Sequence, residues 1–413
     1  MADRLEGPSV FVRTSSDSSE IEGGKTDRKV AFFSRSFLTR LKEGGGWPAL
    51  VKKEKTRFFE NVGSHCFSSL RMVTPLVPFP LAVHKLEKHP CAPSDRFALD
   101  SFAYVMVWCG TRLLFDGSWG KDGSGNPLDS ESIFRIGSLS KQVVASLFFS
   151  LAQQGKLFLD EKLVTFFPKL DFPPSFEKIS LMDLLNHTSG LPTYKEDQVP
   201  KRYSSEELFK WGLSCPLHFQ PGERFFYSNT GYAILGYLLE QITENAFDDL
   251  VRALFRKMGL FSTGYLSSQQ EGKWVTGHKR DPSNRVTQEF GASLHQTKAF
   301  SAAGLYSSPK DLRLWYTRFL ESDLARNTLE VFKNNPPKIR FDSQPVEEVR
   351  YYAGFFVQGN LLEHTGFFPG YLSQVVLHPE RQAGLLILCG NENADILSMK
   401  KELLLQFKEF FGG

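Results

Sequence analysis

Ser138 and Lys141 stand three residues apart in Gly137-Ser138-Leu139-Ser140-Lys141, where Ile133-Phe134-Arg135-Ile136 gives way to the apolar run Val143 to Leu151. That run predicts a buried helix, and residues at i and i+3 share one helix face, so the hydroxyl and the amine come within hydrogen-bonding reach. Ser140 and Lys141 are neighbours and point apart. A serine hydroxyl attacks a carbonyl only when a partner takes its proton. Backbone N–H groups in a first helical turn lack intrahelical acceptors and suit the oxyanion that such an attack creates. Taken alone, the tetrad also fits a Ser N-cap beside a solvated Lys.

Two further groups could work with this pair. Gln220-Pro221-Gly222-Glu223 leads through Phe226 to Tyr227-Ser228-Asn229, just ahead of an apolar stretch over 231–244. Tyr227 and Asn229 can therefore project together from a fixed loop. His364-Thr365-Gly366 falls in a run predicted as a strand, where a glycine lets a substrate lie close to the backbone. The plain alternatives are a packed Tyr with a capping Asn, and a strand His beside a Gly bulge.

The elements that must hold these residues can be read in outline. Ala103 to Trp108 and Arg112 to Phe115 flank Cys109-Gly110-Thr111 as a hairpin, and Gly117 to Asp129 reads as a loop. The helix after Ser138 should stop at Gly155. Ser180 with Asp183 opens a short helix that ends near Gly190-Leu191-Pro192, 231–244 forms a buried one, and Ser308-Pro309 caps another reaching Phe319. Residues 265–300 lack periodicity and read as an irregular loop over the site. Runs at 351–359, 361–368, 372–378 and 383–388 have tight connections and predict antiparallel strands, followed by a helix over 394–411. The expected fold is therefore α/β (α+β). An antiparallel sheet built from about 97–130 and 345–413 is flanked by helices, and an all-α subdomain, about 131–344, is inserted between its two halves.

Composition removes several functions. With 49 basic and 46 acidic residues the net charge is +3, too weak a field to argue for nucleic acid. The five cysteines are scattered and lack a C-x-x-C pair, and the nine histidines lack metal-site spacing, so neither a metal nor another cofactor is expected. Residues 1–84 read as a separate arm, disordered to about 30. Within 31–60, Phe33, Phe37 and Leu41 lie among basic residues, a pattern that fits a short amphipathic helix able to touch a membrane surface or simply a loose arm. No secretory signal begins at Met1, which makes the cytoplasm the default expectation. The apolar run Met72 to Val83 is too short to span a membrane and carries three prolines.

With these residues in view, the region from about Phe97 to the C-terminus resembles the serine β-lactamase and penicillin-binding family, in the branch of class C β-lactamases, D,D-carboxypeptidases and related esterases. Three motifs occur in the family's order: Ser138-Leu139-Ser140-Lys141, Tyr227-Ser228-Asn229 and His364-Thr365-Gly366. The phrases Leu184-Leu-Asn-His-Thr-Ser-Gly-Leu-Pro192 and Ser301-Ala-Ala-Gly-Leu-Tyr-Ser-Ser-Pro309 join them. The resemblance implies a β-lactamase/transpeptidase-like fold over 85–413, no cofactor, and an acyl-enzyme on Ser138. It implies that Lys141 and Tyr227 take the serine proton together, the ammonium favouring the phenolate, with either one open as the base. Asn229, His364, Thr365 and Gly366 would bind substrate, and the backbone N–H groups of Ser138 and Phe367 would form the oxyanion hole. It also makes the cell envelope an alternative compartment.

The sequence departs from that pattern in two places. His364 stands where many β-lactamases of this branch have Lys, and Phe367 where carboxylate-binding members have Ser or Thr. Thr365 and a protonated His364 remain as expected carboxylate donors, with the help from His364 fading as pH rises through neutrality. The implied substrate is a small molecule or peptide with an ester or amide carbonyl. D,D-carboxypeptidase-like or β-lactamase-like amide hydrolysis is the first expectation, and an esterase or other amidase is the alternative. An inactive binding or assembly module is the reading from a different class.

Overall fold

The computed structural model describes residues 102–412 apart from 122–124, 195–202, 266–271, 282, 284, 292–298, 323, 326–327 and 329–350. The expected arm over 1–84, with its basic helix and the run Met72 to Val83, lies outside the described residues.

The described chain opens with a hairpin of β1 (Ala103–Cys109) and β2 (Arg112–Trp119), turning at Gly110 with φ +54°. β2 runs on through Trp119, into what the sequence reads as loop. β3 (Phe134–Arg135) leads into a 3-10 turn over Gly137–Leu139 and then α1 (Ser140–Gln153), which stops where Gly155 takes φ +68°. Next come α2 (Leu181–Leu185), α3 (Ser205–Leu213), α4 (Asn229–Thr243) and α5 (Phe247–Lys257). Their starts follow from local chemistry. Ser180 with Asp183 and Ser204 with Glu207 form reciprocal capping boxes, and the Ser228 hydroxyl accepts from the Gly231 N–H at 3.2 Å.

The next stretch differs from the irregular loop expected over 265–300. It holds β4 (Gly264–Tyr265), a hairpin of β5 (Gly277–Arg280) and β6 (Val286–Phe290), and the short α6 (Phe300–Ala303). β7 (Leu305–Ser307) then joins β3 and β4 in a small sheet. β6 is exposed along most of its length, so it lacks the apolar alternation that betrays a strand. α7 (Pro309–Leu320) follows its Ser308 cap as the sequence implies.

The remaining strands are β8 (Tyr351–Tyr352), β9 (Phe355–Gln358), β10 (Leu361–Phe368), β11 (Tyr371–His378) and β12 (Ala383–Cys389). The final helix is two, α8 (Ile396–Gln406) and α9 (Lys408–Phe411), broken at Phe407. The main sheet has the order β2-β1-β12-β11-β10-β9-β8 with every pair antiparallel, so Ala103 near one end of the described chain pairs with Cys389 near the other.

Alternation along the strands divides the core. Tyr104, Met106, Trp108, Val375, Leu386 and Leu388 face the helical middle, while Val105, Val107, Val376, Leu385 and Ile387 pack on α8 and α9 through Ile396, Met399 and Leu403. Each such aliphatic side chain, fully buried, contributes about 2 kcal/mol. The sheet is thereby held rigid on both faces, and β10 and β11 become a fixed wall for the 3-10 turn.

Candidate active site

The turn that carries Ser138 is shaped by Gly137. Its φ is +53°, and a Cβ there would lie 2.6 Å from the Phe367 nitrogen and 2.5 Å from the Phe367 oxygen. Only glycine meets both demands, and its use brings the Ser138 turn against the β10 backbone. Gly366 does the same one residue earlier, since a Cβ there would strike the Ile136 carbonyl oxygen and the Ser373 hydroxyl. The Ser373 hydroxyl donates to the Ile136 carbonyl at 2.8 Å and ties the turn to β11.

Ser138 sits in this 3-10 turn, half-buried, and Lys141 in the first turn of α1. Lys141 Nζ lies 3.2 Å from Ser138 Oγ. Ser140 holds the backbone instead, its hydroxyl donating to the Gly137 carbonyl at 2.7 Å and accepting the Leu305 N–H at 3.1 Å.

Lys141 is fully buried, and burial pushes its pKa well below the ordinary lysine value. Its amine donates to Asn229 Oδ1 and to the Ala302 carbonyl, both at 2.8 Å. The Ala302 carbonyl is available because α6 is only four residues long and ends before it can take an intrahelical donor there. A neutral amine has two N–H donors and one lone pair. In the neutral form, with the two carbonyl oxygens taking its donors, the amine turns its lone pair to Ser138; in the ammonium form its third N–H donates to Ser138 Oγ. Asn229 is the first residue of α4 rather than part of the preceding loop, and its N–H donates to Thr193 Oγ1 at 3.2 Å.

Tyr227 lies with its ring centroid 4.8 Å from Lys141 Nζ. Part of its surface is open, but the surrounding protein raises its phenol pKa above the ordinary value, and a hydrogen bond with the Ser138 side chain acts weakly in the opposite sense. Burial thus favours a neutral phenol beside a neutral amine. Burial therefore works against the expected ammonium–phenolate pair, since neither charge is well solvated here.

His364 is buried on the face of β10 that meets the turn. Nδ1 lies 2.7 Å from the Thr365 carbonyl oxygen and so carries its hydrogen there, leaving the Nε2 lone pair toward Tyr351 Oη at 3.4 Å. Burial first, then the Lys141 charge, lower its pKa to about 3, with the Thr365 hydrogen bond opposing. Burial therefore works against the expected titration of His364 through neutrality. Thr365 is corrected: its hydroxyl donates to Gln374 Oε1 at 2.6 Å, across the β10–β11 pair, and is not waiting for a ligand. Phe367 is 51% exposed. β9 pairs with β10 only over Leu361 to Glu363, so the outer edge of His364 to Phe368 faces no strand among the described residues.

The structure thus brings Ser138, Lys141, Tyr227, Asn229 and His364 into one cluster and sets the Phe367 backbone beside it. Sequence reasoning missed His187, Tyr232, Tyr351 and the Ala302 carbonyl. His187 takes φ +61°, accepts the Ser228 N–H on Nδ1 at 3.1 Å, and holds its ring 4.3 Å from that of Tyr227 and 4.7 Å from that of Tyr351. Burial and the Lys141 charge push its pKa well down. Tyr232 donates to the Leu185 carbonyl at 2.9 Å. His187 and Ala302 lie in the two phrases that carried the resemblance, and Tyr232 and Tyr351 had no such signal. Among the described residues no group of three or more His, Cys, Asp or Glu could hold a metal, and no helix is long and apolar enough to cross a membrane.

Residues 102–397 match the Beta-lactamase family model. Penicillin-binding protein 4* of Bacillus subtilis is 24% identical over 292 residues, 64% of this chain and 62% of that protein. Protein flp of Staphylococcus aureus is 24% identical over 266 residues, 62% of this chain and 52% of that protein. The chain therefore spans less than two thirds of the length of these curated relatives. Among solved structures, the D-amino acid amidase of Ochrobactrum anthropi SV3 superposes with a TM-score of 0.62 at 19% identity, covering 76% of this chain and 96% of that one. The octameric penicillin-binding protein homologue of Pyrococcus abyssi gives 0.59 at 22%, covering 71% and 69%. At these identities the superpositions speak for the fold, whereas the family match covers well over half of the chain. The protein belongs to the Beta-lactamase family.

Proposed function

We propose that the protein cleaves an ester or amide through an acyl-enzyme on Ser138. The observation that carries this reading is the buried Lys141 amine, whose two donors are spent on Asn229 and Ala302 while its remaining direction meets Ser138 Oγ. Lys141 takes the serine proton as the Oγ–carbon bond forms. The carbonyl oxygen becomes an oxyanion received by the N–H groups of Ser138 and Phe367, each such donor being worth roughly 3–4 kcal/mol. Tyr227, neutral and next to Ser138, passes a proton to the leaving group as its bond to the carbonyl carbon breaks. Water then attacks the acyl-enzyme with the same groups in reverse. Asn229 fixes the amine.

Amide cleavage of the D,D-carboxypeptidase or β-lactamase kind is supported by the penicillin-binding relatives, and amidase action by the D-amino acid amidase neighbour. An esterase is the second reading, favoured by Phe367 in place of a hydroxyl. The test is intact-protein mass spectrometry after incubation with a panel of β-lactams, small p-nitrophenyl esters and a D-Ala-D-Ala peptide. An adduct is expected that Ser138→Ala abolishes and Ser140→Ala keeps. An adduct that survives Ser138→Ala overturns the assignment, and no adduct from any member of the panel favours an inactive module.

A further inference from the structure

We propose that the site selects substrates that are uncharged and apolar where they lie along β10, such as a neutral ester or a capped amide, and not substrates with a terminal carboxylate there. The inference rests on the acyl-enzyme reading above and adds the substrate class. A carboxylate held beside a partly buried wall must replace its hydration with several donors, or binding fails. Among the described residues the side-chain donors of this wall are already engaged, and the Phe367 N–H on its open edge is taken up with the carbonyl oxygen.

The Lys141 amine is turned to Asn229, Ala302 and Ser138. The N–H of His364 points to the Thr365 carbonyl, and its other nitrogen presents a lone pair, which repels an anion. The Thr365 hydroxyl is given to Gln374, whose own amide N–H donates to the Val375 carbonyl at 3.0 Å, so the Gln374 oxygen is oriented to keep that hydroxyl. The titratable groups that face His364 are Lys141, Tyr227, Tyr351 and His187, and burial favours the neutral form of every one. The next charge on the strand, Glu363, is paired with Lys400 of α8 at 2.7 Å. What the open edge does present is the Phe367 ring, half exposed, on the residue whose backbone adjoins the Ser138 turn. An aromatic ring there gives an apolar substituent something to cover, and gives a carboxylate nothing.

The experiment uses the full chain and a pair of aryl esters that differ only in a terminal carboxylate, free or capped as its methyl ester. The capped ester should be preferred by about ten-fold or more in kcat/KM, at a ratio that stays level from about pH 5.5 to about pH 8.5, because burial disfavours a cationic His364 across that range and a change at Lys141 acts on both esters alike. Phe367→Ser should raise KM for the capped ester with little change in kcat, and Phe367→Arg should narrow or invert the preference. Both changes are at a half-exposed side chain, so the fold is retained, and circular dichroism checks it. A preference for the free carboxylate overturns the proposal. So does a ratio that swings toward the carboxylate on acidification through about pH 6.5 and loses the swing in His364→Gln, since that is the signature of a protonated His364. Acylation of Ser138 by a small neutral p-nitrophenyl ester, followed by mass, separates the two levels. Acylation without the expected preference defeats only the substrate class, and no acylation by any ester defeats the underlying reading with it.

Discussion

Lys141 and His364 are both cationic residue types held in a place that disfavours cations, and the consequences differ. For Lys141 the depressed pKa brings the free amine within reach at a pH well below the ordinary lysine range, so kcat/KM should rise with pH through that lowered value and then level. Lys141→Arg keeps a positive charge but cannot give up its proton, and the expected loss of acylation is about 100-fold or greater, read as burst rate. For His364 the folded value of about 3 lies below the unfolded value near 6.5. The unfolded chain therefore binds the proton first as pH falls, and stability is lost between those two values on acidification, by up to about 1.4 kcal/mol per pH unit. His187 acts in the same direction. Melting temperatures at about pH 7.5 and about pH 4.5 should fall further apart for the wild type than for His364→Phe, because only the wild type carries that proton linkage. Sequence spacing revealed Ser138 and Lys141 because their contact is local. The state of His364, the bond from Thr365 to Gln374 and the ring of His187 against Tyr227 depend on partners from distant segments, and no spacing rule contains them.

β10 and the 3-10 turn form a single device whose tolerance is set by two glycines. Gly366→Ala would push its methyl group into the Ile136 carbonyl and the Ser373 hydroxyl, parting the turn from the sheet. We expect a loss of about 1–3 kcal/mol in folding stability, together with a fall in kcat larger than any change in KM, measured by chemical denaturation and steady-state kinetics on one preparation. Ser308→Ala, which removes the α7 cap without touching the Ser138, Lys141 and Tyr227 side chains, should cost about 1 kcal/mol and leave kcat alone, giving a control for general destabilisation. Elements with their own punctuation were legible in the sequence. Ser180 with Asp183, Ser308 with Pro309, and Gly155 mark helix ends by side-chain or backbone chemistry that needs no partner. The β5–β6 hairpin is marked only at its turn, where Asp281 accepts the Ser283 and Arg285 N–H groups, and its strands carry no apolar alternation. Gly277 packs a bare backbone on the Gly370 carbonyl and the Tyr371 ring, so its place is set by contacts with β11 and its neighbours.

At the scale of the whole molecule, the described cluster is assembled by residues 102–412, and residues 1–84 should be dispensable for hydrolysis. A chain beginning near Leu81 that folds by circular dichroism yet has lost all hydrolysis of small esters would show that the earlier residues reach the site. The order of the main sheet has a temporal consequence as well. β1 leaves the ribosome long before β12, and its inner edge waits for that strand, while the wall behind Ser138 waits for β10 and β11. Pairings so distant in sequence close slowly, and an unpaired strand of Ala-Tyr-Val-Met-Val-Trp-Cys is open meanwhile to any other strand it meets. Nascent chains that stop before Ala383 should therefore collect in the insoluble fraction, and the yield of active protein should respond to chaperone supply and to lowered temperature during synthesis more than to changes at Ser138.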